Sequence, residues 1–272
     1  RMLRGHKLVI AHGSTTLDAA AATVPGRFVY RSIGDPTFWL STTARRVKTG
    51  ALLRTATATV ALYPAAADAL HKLARVPARR LRVIPNAVVV PDAAPGSTPV
   101  LPAASRNVLF VGALSWEKQV DHLIDAVAEL DDTGLVCVGD GPDRADLERR
   151  AQAALGQRAV FTGALANPSP YYVACDVLGL TSVTEGQPGC VLEAALAGTP
   201  TCSYDVGGLN DMIQDGKSGR LVRDRTELAE ALDWTLARHA ELGGRAREIA
   251  QERFSMATVA QQWAELIEEL TG

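Results

Sequence analysis

From residue 108 onward, short apolar runs alternate with helical segments, and this rhythm restricts the chain to a small set of folds. Val108-Leu-Phe-Val111, Leu135-Val-Cys-Val138, Ala159-Val-Phe161, Val177-Leu-Gly-Leu180 and Thr199-Pro-Thr-Cys-Ser203 read as buried strands. The segments 120–130, 144–155, 170–175 and 190–197 read as the helices between them. Alternation at this spacing predicts a parallel, doubly wound α/β sheet with right-handed crossovers. A short strand at Arg220-Leu-Val222 is expected after the turn Asp215-Gly-Lys-Ser-Gly219. Helical segments at 226–240, 243–253 and 256–270 finish the chain.

The first ninety or so residues carry a second α/β pattern. Lys7-Leu-Val-Ile10, Phe28-Val-Tyr30, Thr59-Val-Ala-Leu62 and Leu81-Arg-Val-Ile84 read as extended, and 16–22, 45–55 and 65–73 as helical. Pro85, Pro91, Pro95, Pro99 and Pro102 then cluster between the two patterns, as in a linker of restricted flexibility. The expected division is a partial first lobe over 1–90, a Pro-rich linker over 91–107, a second lobe over 108–252, and a final helix over 253–272. Two such lobes would leave a cleft, a common place for a ligand.

The 272 residues, 47% of them hydrophobic, suffice for two moderate cores. A formal net charge of -2 and scattered arginines give no footprint for nucleic acid. No apolar run reaches the roughly 18–20 residues that span a bilayer. Cys137, Cys175, Cys190 and Cys202 lie apart in apolar segments, which fits reduced core thiols better than zinc ligands or disulfides. A cytoplasmic enzyme or binding protein is the expectation, and the abrupt start at Arg1 reads as that of a fragment.

Glu185 and Glu193, with seven residues between them, bracket the turn Glu185-Gly-Gln-Pro-Gly-Cys-Val-Leu-Glu193. One carboxylate falls in a strand-to-helix loop and the other in the first turns of the next helix. In an open parallel sheet, ligands bind at the carboxyl ends of strands. A helix starting near Gly189 would aim its unpaired N–H groups and positive dipole end into that crevice. Spacing alone equally allows Glu185 to be a solvated loop residue and Glu193 a residue that merely favours a helix N-terminus. The strand at 108–111 ends in Gly112, which permits close backbone approach, and its loop reaches Lys118, a compact cation suited to a phosphate. The next strand ends in Gly139-Asp-Gly-Pro142, which lacks the third glycine of a dinucleotide fingerprint. No Gly-x-x-x-x-Gly-Lys-Ser/Thr phosphate loop and no Asp-x-Asp metal motif occurs.

Val108-Leu-Phe-Val-Gly-Ala-Leu-Ser-Trp-Glu-Lys118, Val138-Gly-Asp-Gly-Pro142, Glu185 to Glu193, Asp205-Val-Gly-Gly208 and Asp215-Gly-Lys-Ser-Gly219 follow one another in order. In this order they resemble the retaining glycosyltransferases of family 4, glycosyl transferases group 1, which have the two-lobed GT-B fold. The resemblance implies two Rossmann-like lobes with parallel sheets, the N-terminal lobe incomplete. Val83-Ile-Pro-Asn86 is similar to the family's interlobe hinge, and Arg253-Phe-Ser255 to the start of its final helix, which packs back toward the first lobe.

The implied activity is transfer of a sugar from a nucleotide diphosphate sugar to an acceptor, with retention at the anomeric carbon and without a metal or other cofactor. Lys118 would contact the diphosphate, Glu185 the sugar hydroxyls, and Glu193 the ribose. Gly186, Gln187, Gly189, Cys190 and Val191 would meet sugar and phosphates through their backbone, and Gly112 would line the donor site. Gly163 and Leu165 would border the base, and His12, ending a strand, would lie near the reacting sugar. The acceptor would be a carbohydrate, a lipid-linked molecule or a small molecule; a lipid-linked one would bring the protein to a membrane surface. Ala113 departs from the family, which commonly has a diphosphate-binding arginine there, and Arg144 and Arg31 are the candidates to replace it. The rival readings are a non-catalytic nucleotide-sugar-binding fragment and a sugar-nucleotide epimerase of the same fold.

Overall fold

The computed structural model describes residues 7–89 and 98–272; Pro91 and Pro95 of the expected linker lie outside them. The chain divides into two compact units, one holding the described residues up to Asn86 together with Thr184–Gln187 and Met256–Gly272, the other holding Ala87–Val183 and Pro188–Ser255.

The first unit begins with β1 (Val9–His12), α1 (Ser14–Thr23), β2 (Phe28–Arg31), α2 (Pro36–Trp39) and α3 (Thr43–Leu53). It continues with β3 (Ala58–Ala61), α4 (Pro64–Ala74) and β4 (Leu81–Val83). The strands form one parallel sheet in the order β1-β2-β3-β4. Local chemistry sets the helix starts. The Thr42 hydroxyl accepts the Arg45 N–H, which starts α3 earlier than periodicity suggests. The Asp35 carboxylate caps α2, a turn that periodicity missed, and Pro64 opens α4. Phe28, Tyr30, Leu40, Leu53 and Leu70 are buried in this unit's core.

The second unit runs β5 (Arg106–Val111), α5 (Val120–Ala128), β6 (Thr133–Val138), α6 (Arg144–Leu155), β7 (Ala159–Gly163) and α7 (Ser169–Ala174). There follow β8 (Val177–Leu180), α8 (Gly189–Ala197), β9 (Thr201–Tyr204), α9 (Leu209–Met212), β10 (Gly219–Val222), α10 (Leu228–Leu236) and α11 (His239–Arg253). All six strands are parallel, in the order β10-β9-β8-β5-β6-β7. The chain builds outward from β5 through β6 to β7, then returns to lay β8 on the other flank of β5. The strand order therefore reverses between β5 and β8, which makes their carboxyl ends the switch point of the sheet. Leu109, Phe110, Val136, Leu178 and Leu123 are fully buried around it.

The last helix, α12 (Met256–Thr271), counts with the first unit. There Arg82 pairs with Glu269, and the Arg31 guanidinium lies 5.6 Å from the centre of the Trp263 ring.

The first expected strand, 7–10, is found two residues on at β1, and two further shifts have a clear physical cause. The strand expected from Thr199 starts at Thr201, because Gly198 closes α8 in the left-handed region (φ 84°) and the Thr199 N–H turns back to the Ala194 carbonyl. The helices expected at 226–240 and 243–253 instead end at Leu236 and begin again at His239, so α11 runs straight through Gly243 and Gly244. The pair looks like a helix start, yet Gly243 is there for packing. A Cβ on Gly243 would lie 1.8 Å from the Gly198 carbonyl oxygen, whereas one on Gly244 would meet nothing. Gly243→Ala is therefore expected to destabilise by about 2–3 kcal/mol, since the obstructing atom is backbone. Gly244→Ala is expected to stabilise by about 0.5–1 kcal/mol. Denaturant unfolding of the two variants beside the parent chain checks the contrast.

Candidate functional site

At the switch point, the loops leaving β5 and β8 are bonded to each other. The buried Thr181 hydroxyl reaches both the Lys118 carbonyl (2.9 Å) and the Gln119 carbonyl (2.8 Å). The Val183 N–H donates to the Glu117 carbonyl at 2.8 Å. Lys118, half-buried, is thus carried on a short 3-10 turn (Trp116–Lys118) whose backbone is fixed by the neighbouring loop. Gln119 follows in the left-handed region (φ 44°) and turns the chain into α5.

The glycines beside Lys118 allow three strand ends to meet backbone to backbone. Gly112 N–H donates to Val138 O, Leu114 N–H to Asp140 O, and Gly139 N–H to Gly163 O, each at 3.0 Å. A Cβ on Gly139 (φ 150°) would fall 1.8 Å from the Gly112 oxygen, and one on Gly141 would fall 2.3 Å from the Leu114 oxygen. Gly139-Asp-Gly141 is therefore a packing device between the β5 and β6 loops. Above it opens a cavity of about 300 Å³ lined by Gly112, Ala113, Gly139, Asp140, Leu165 and Pro168 among others. Gly163 closes β7 at φ 77°, and Leu165 is exposed two residues on.

Arg144 stands at this edge. Its guanidinium donates to Asp140 Oδ2 (2.9 Å) and Glu148 Oε1 (2.8 Å). The Gly141 N–H, followed by Arg144, holds the Asp140 carboxyl below the usual carboxylate range. Arg31, the other candidate to replace the arginine missing at Ala113, belongs to the first unit and donates to Asn86 Oδ1 at 2.7 Å. Both guanidinium groups are already engaged within the protein.

Helix α8 begins at Gly189 with Pro188 in the capping position, and no side chain caps it. Gly189 is exposed, Cys190 half-buried, and Val191 turns its side chain into the core while giving its N–H to the Pro188 carbonyl. Glu193 is half-buried on the same helix. Its Oε2 accepts the Tyr172 hydroxyl at 2.6 Å, and its Oε1 would lie 3.6 Å from a Cβ on Gly189. The carboxylate therefore points back along the helix toward its first turn. Tyr172, fully buried, was not singled out by the sequence: it lies on another helix, 21 residues away, and no periodicity signals that pairing.

Glu185, Gly186 and Gln187 count with the first unit, whereas Lys118, Gly112, Gly163, Leu165 and Gly189 to Glu193 count with the second. Glu185 is buried, so it is not the solvated loop residue that spacing alone allowed. Gly186 packs on the backbone of Gly34: a Cβ there would meet its Cα and N at 2.8 Å. Gln187, also buried, accepts the Asn86 N–H on Oε1 and the Asn86 side-chain amide on its carbonyl, each at 2.8 Å. His12 stands exposed at the end of β1, followed by Gly13 (φ 74°) at the start of α1.

Among the described residues, no three His, Cys, Asp or Glu side chains gather as metal ligands would, and no helix is long and apolar enough to cross a membrane. None of the four cysteines is in a disulfide, and Cys137, Cys175 and Cys202 are buried.

Residues 105–238 match the family described as glycosyl transferases group 1. The 2-deoxystreptamine glucosyltransferase of Streptomyces kanamyceticus is 48% identical over 111 residues, 38% of this chain and 29% of that protein. The alpha-D-kanosaminyltransferase of the same organism is 33% identical over 177 residues, 60% of this chain and 45% of that one. This chain thus spans less than half the length of either relative. Among solved structures, Anabaena Alr3699/HepE in complex with UDP and glucose superposes with a TM-score of 0.82 at 24% identity, over 97% of this chain and 78% of that chain. Sucrose-phosphate synthase from Thermosynechococcus elongatus gives 0.83 at 23% identity, over 99% and 75%. The chain therefore carries a glycosyl transferases group 1 domain over residues 105–238, within an α/β fold of the GT-B kind.

Proposed function

We propose that this chain transfers a sugar from a nucleotide diphosphate sugar to a hydroxyl-bearing acceptor, with retention at the anomeric carbon and with no metal in the chemistry. The observation that carries this reading is the clamp at the switch point. Thr181 and Val183 hold the Glu117–Gln119 backbone, and with it the Lys118 cation, at the carboxyl ends of adjacent strands. The uncapped amino end of α8 follows the second of those strands.

Breaking the bond between the anomeric carbon and the diphosphate develops positive charge on the sugar and negative charge on the leaving group. Lys118 and the α8 dipole oppose the latter, and groups fixed before the reaction stabilise such charge without reorganising. That assignment needs no cation other than the lysine. Glu185 positions the donor sugar through its hydroxyls, Glu193 accepts from the ribose, and the cavity rimmed by Gly112, Gly139 and Leu165 takes the base. UDP is the nucleotide to test first, because the HepE complex holds UDP and glucose. A small polyhydroxylated molecule is the acceptor class this reading favours, in keeping with the name of the relative that is 48% identical.

The reading makes two separable predictions. Lys118→Ala is expected to weaken UDP binding about ten- to a hundredfold, since a hydrogen bond to a charged group contributes about 1.5–3 kcal/mol. Calorimetric titration measures this directly, and a parent chain that ignores UDP sinks the reading. Glu185→Ala is expected to leave UDP affinity within about threefold but to slow sugar transfer about a hundredfold, because it misplaces the reacting sugar. Assays of UDP-glucose turnover with and without acceptor read this out. Turnover unchanged by the substitution removes Glu185 from the role, and a changed sugar nucleotide without acceptor marks an epimerase.

A further inference from the structure

We propose that Tyr172 is a positioning residue for Glu193, committing one carboxylate oxygen to its phenol so that the other faces the ribose of the nucleotide donor. This deepens the donor-site reading above and rests on it. The geometry has three parts. The Tyr172 hydroxyl donates to Glu193 Oε2 at 2.6 Å, within the short range of charge-assisted bonds. The Tyr172 carbonyl accepts the Thr199 hydroxyl, and the Thr199 N–H donates to Ala194 O at 2.8 Å. Tyr172 is therefore tied to α8 twice, once at Glu193 and once where that helix ends. Finally, Glu193 Oε1 lies along the exposed face of Gly189, where the missing side chain leaves the approach from the first turn open.

Each feature has a consequence for binding. A glutamate on a helix loses rotamer freedom when a ligand fixes it. Here a fully buried phenol has already fixed it in the free protein, so the ligand meets a preorganised acceptor. Burial pushes the Tyr172 hydroxyl well above its ordinary range, so it remains a proton donor through neutral pH. The Tyr172 bond is thus always made in the same sense, and the second oxygen is left as an acceptor for hydroxyl donors such as those of ribose. A phenol that merely satisfied its own hydrogen bond would need no such opening at position 189.

The test compares UDP with 2′,3′-dideoxyuridine diphosphate, which keeps base and diphosphate but lacks both ribose hydroxyls. Their affinity ratio reads what the ribose hydroxyls contribute, and the comparison with Glu193→Ala isolates the share made through Glu193. The parent chain is expected to prefer UDP at least tenfold, and Glu193→Ala to bring the ratio near one. Tyr172→Phe is expected to cut the ratio at least fivefold, with dideoxy analogue affinity unchanged within twofold. A folded Tyr172→Phe with the parental ratio overturns the proposal, as does a parent chain that binds both nucleotides equally. If the parent chain binds neither, the donor-site reading itself fails, which is a different result. Where Tyr172→Phe is too unstable to titrate, Thr199→Val replaces it. That variant frees the Tyr172 carbonyl without touching the pair: a ratio lowered at least twofold supports the proposal, and a parental ratio overturns it.

Discussion

The bonds from Thr181 and Val183 to the Glu117–Gln119 backbone are the interaction on which the rest of the candidate site depends. A parallel sheet brings β5 and β8 side by side, but it says nothing about the loops beyond them. Under the proposed function those loops carry the chemistry, and loops are ordinarily the mobile part of a fold. Here a fully buried hydroxyl with two carbonyl acceptors joins them before any ligand arrives. Replacing that hydroxyl by an apolar group would take this donor from the Lys118 carbonyl, whereas the Gln119 carbonyl keeps the His122 N–H; a buried group left unsatisfied costs of order 1–3 kcal/mol. The lysine side chain keeps its own freedom, but its backbone origin is fixed. Preorganisation of this kind distinguishes a site from a surface that happens to carry a cation.

Glycine serves the same end by another route. At positions 139 and 141 it lets the β5 and β6 loops approach until carbonyl oxygens occupy the space of a side chain. Position 243 uses it to seat α11 against the end of α8. These contacts are invisible to local reading, which takes a glycine pair as a break in structure. Two of the boundaries expected near the end of the chain moved for that reason. A helix propensity cost of about 1 kcal/mol per glycine is easily outweighed by packing between two helices.

The second unit was legible because each of its central strands is an unbroken apolar run, buried on both faces, and each is followed by a helix with its own pattern. Gly112 and Lys118 were placed by the same rhythm, in the loop at a strand's carboxyl end, whereas Gly163 was marked through the resemblance and Glu193 lies within α8. Two things were not legible. Tyr172 sits on a helix of six residues, too short to show periodicity, and acts on a carboxylate it meets only in three dimensions. Likewise Thr184–Gln187 looked like one half of a loop over the second sheet, yet it packs with the first unit. There Gly186 touches Gly34, and Gln187 is held by Asn86. Contacts separated by 101 residues in the chain leave no trace in a window of ten or twenty.

The absence of arginine at position 113 places a quantitative demand on what remains. Arg144 is held by two carboxylates, so turning it toward a diphosphate would exchange two charge-assisted bonds for new ones and gain little. Arg31 is bonded to Asn86 and belongs to the other unit. Under the proposed function, the leaving diphosphate then depends on a single lysine and on a helix end. A helix terminus carries about half an elementary charge and contributes up to roughly 2 kcal/mol where partly buried. One charged hydrogen bond adds a comparable amount. A second guanidinium would add another such charged hydrogen bond to that sum, so without it more of donor binding must come from groups that grip elsewhere on the nucleotide. A carboxylate already oriented by a buried phenol meets that demand with little ordering left to lose. The weaker the hold on the phosphates, the more of the donor's binding must be carried by the ribose, and the more rigidly Glu193 has to be held.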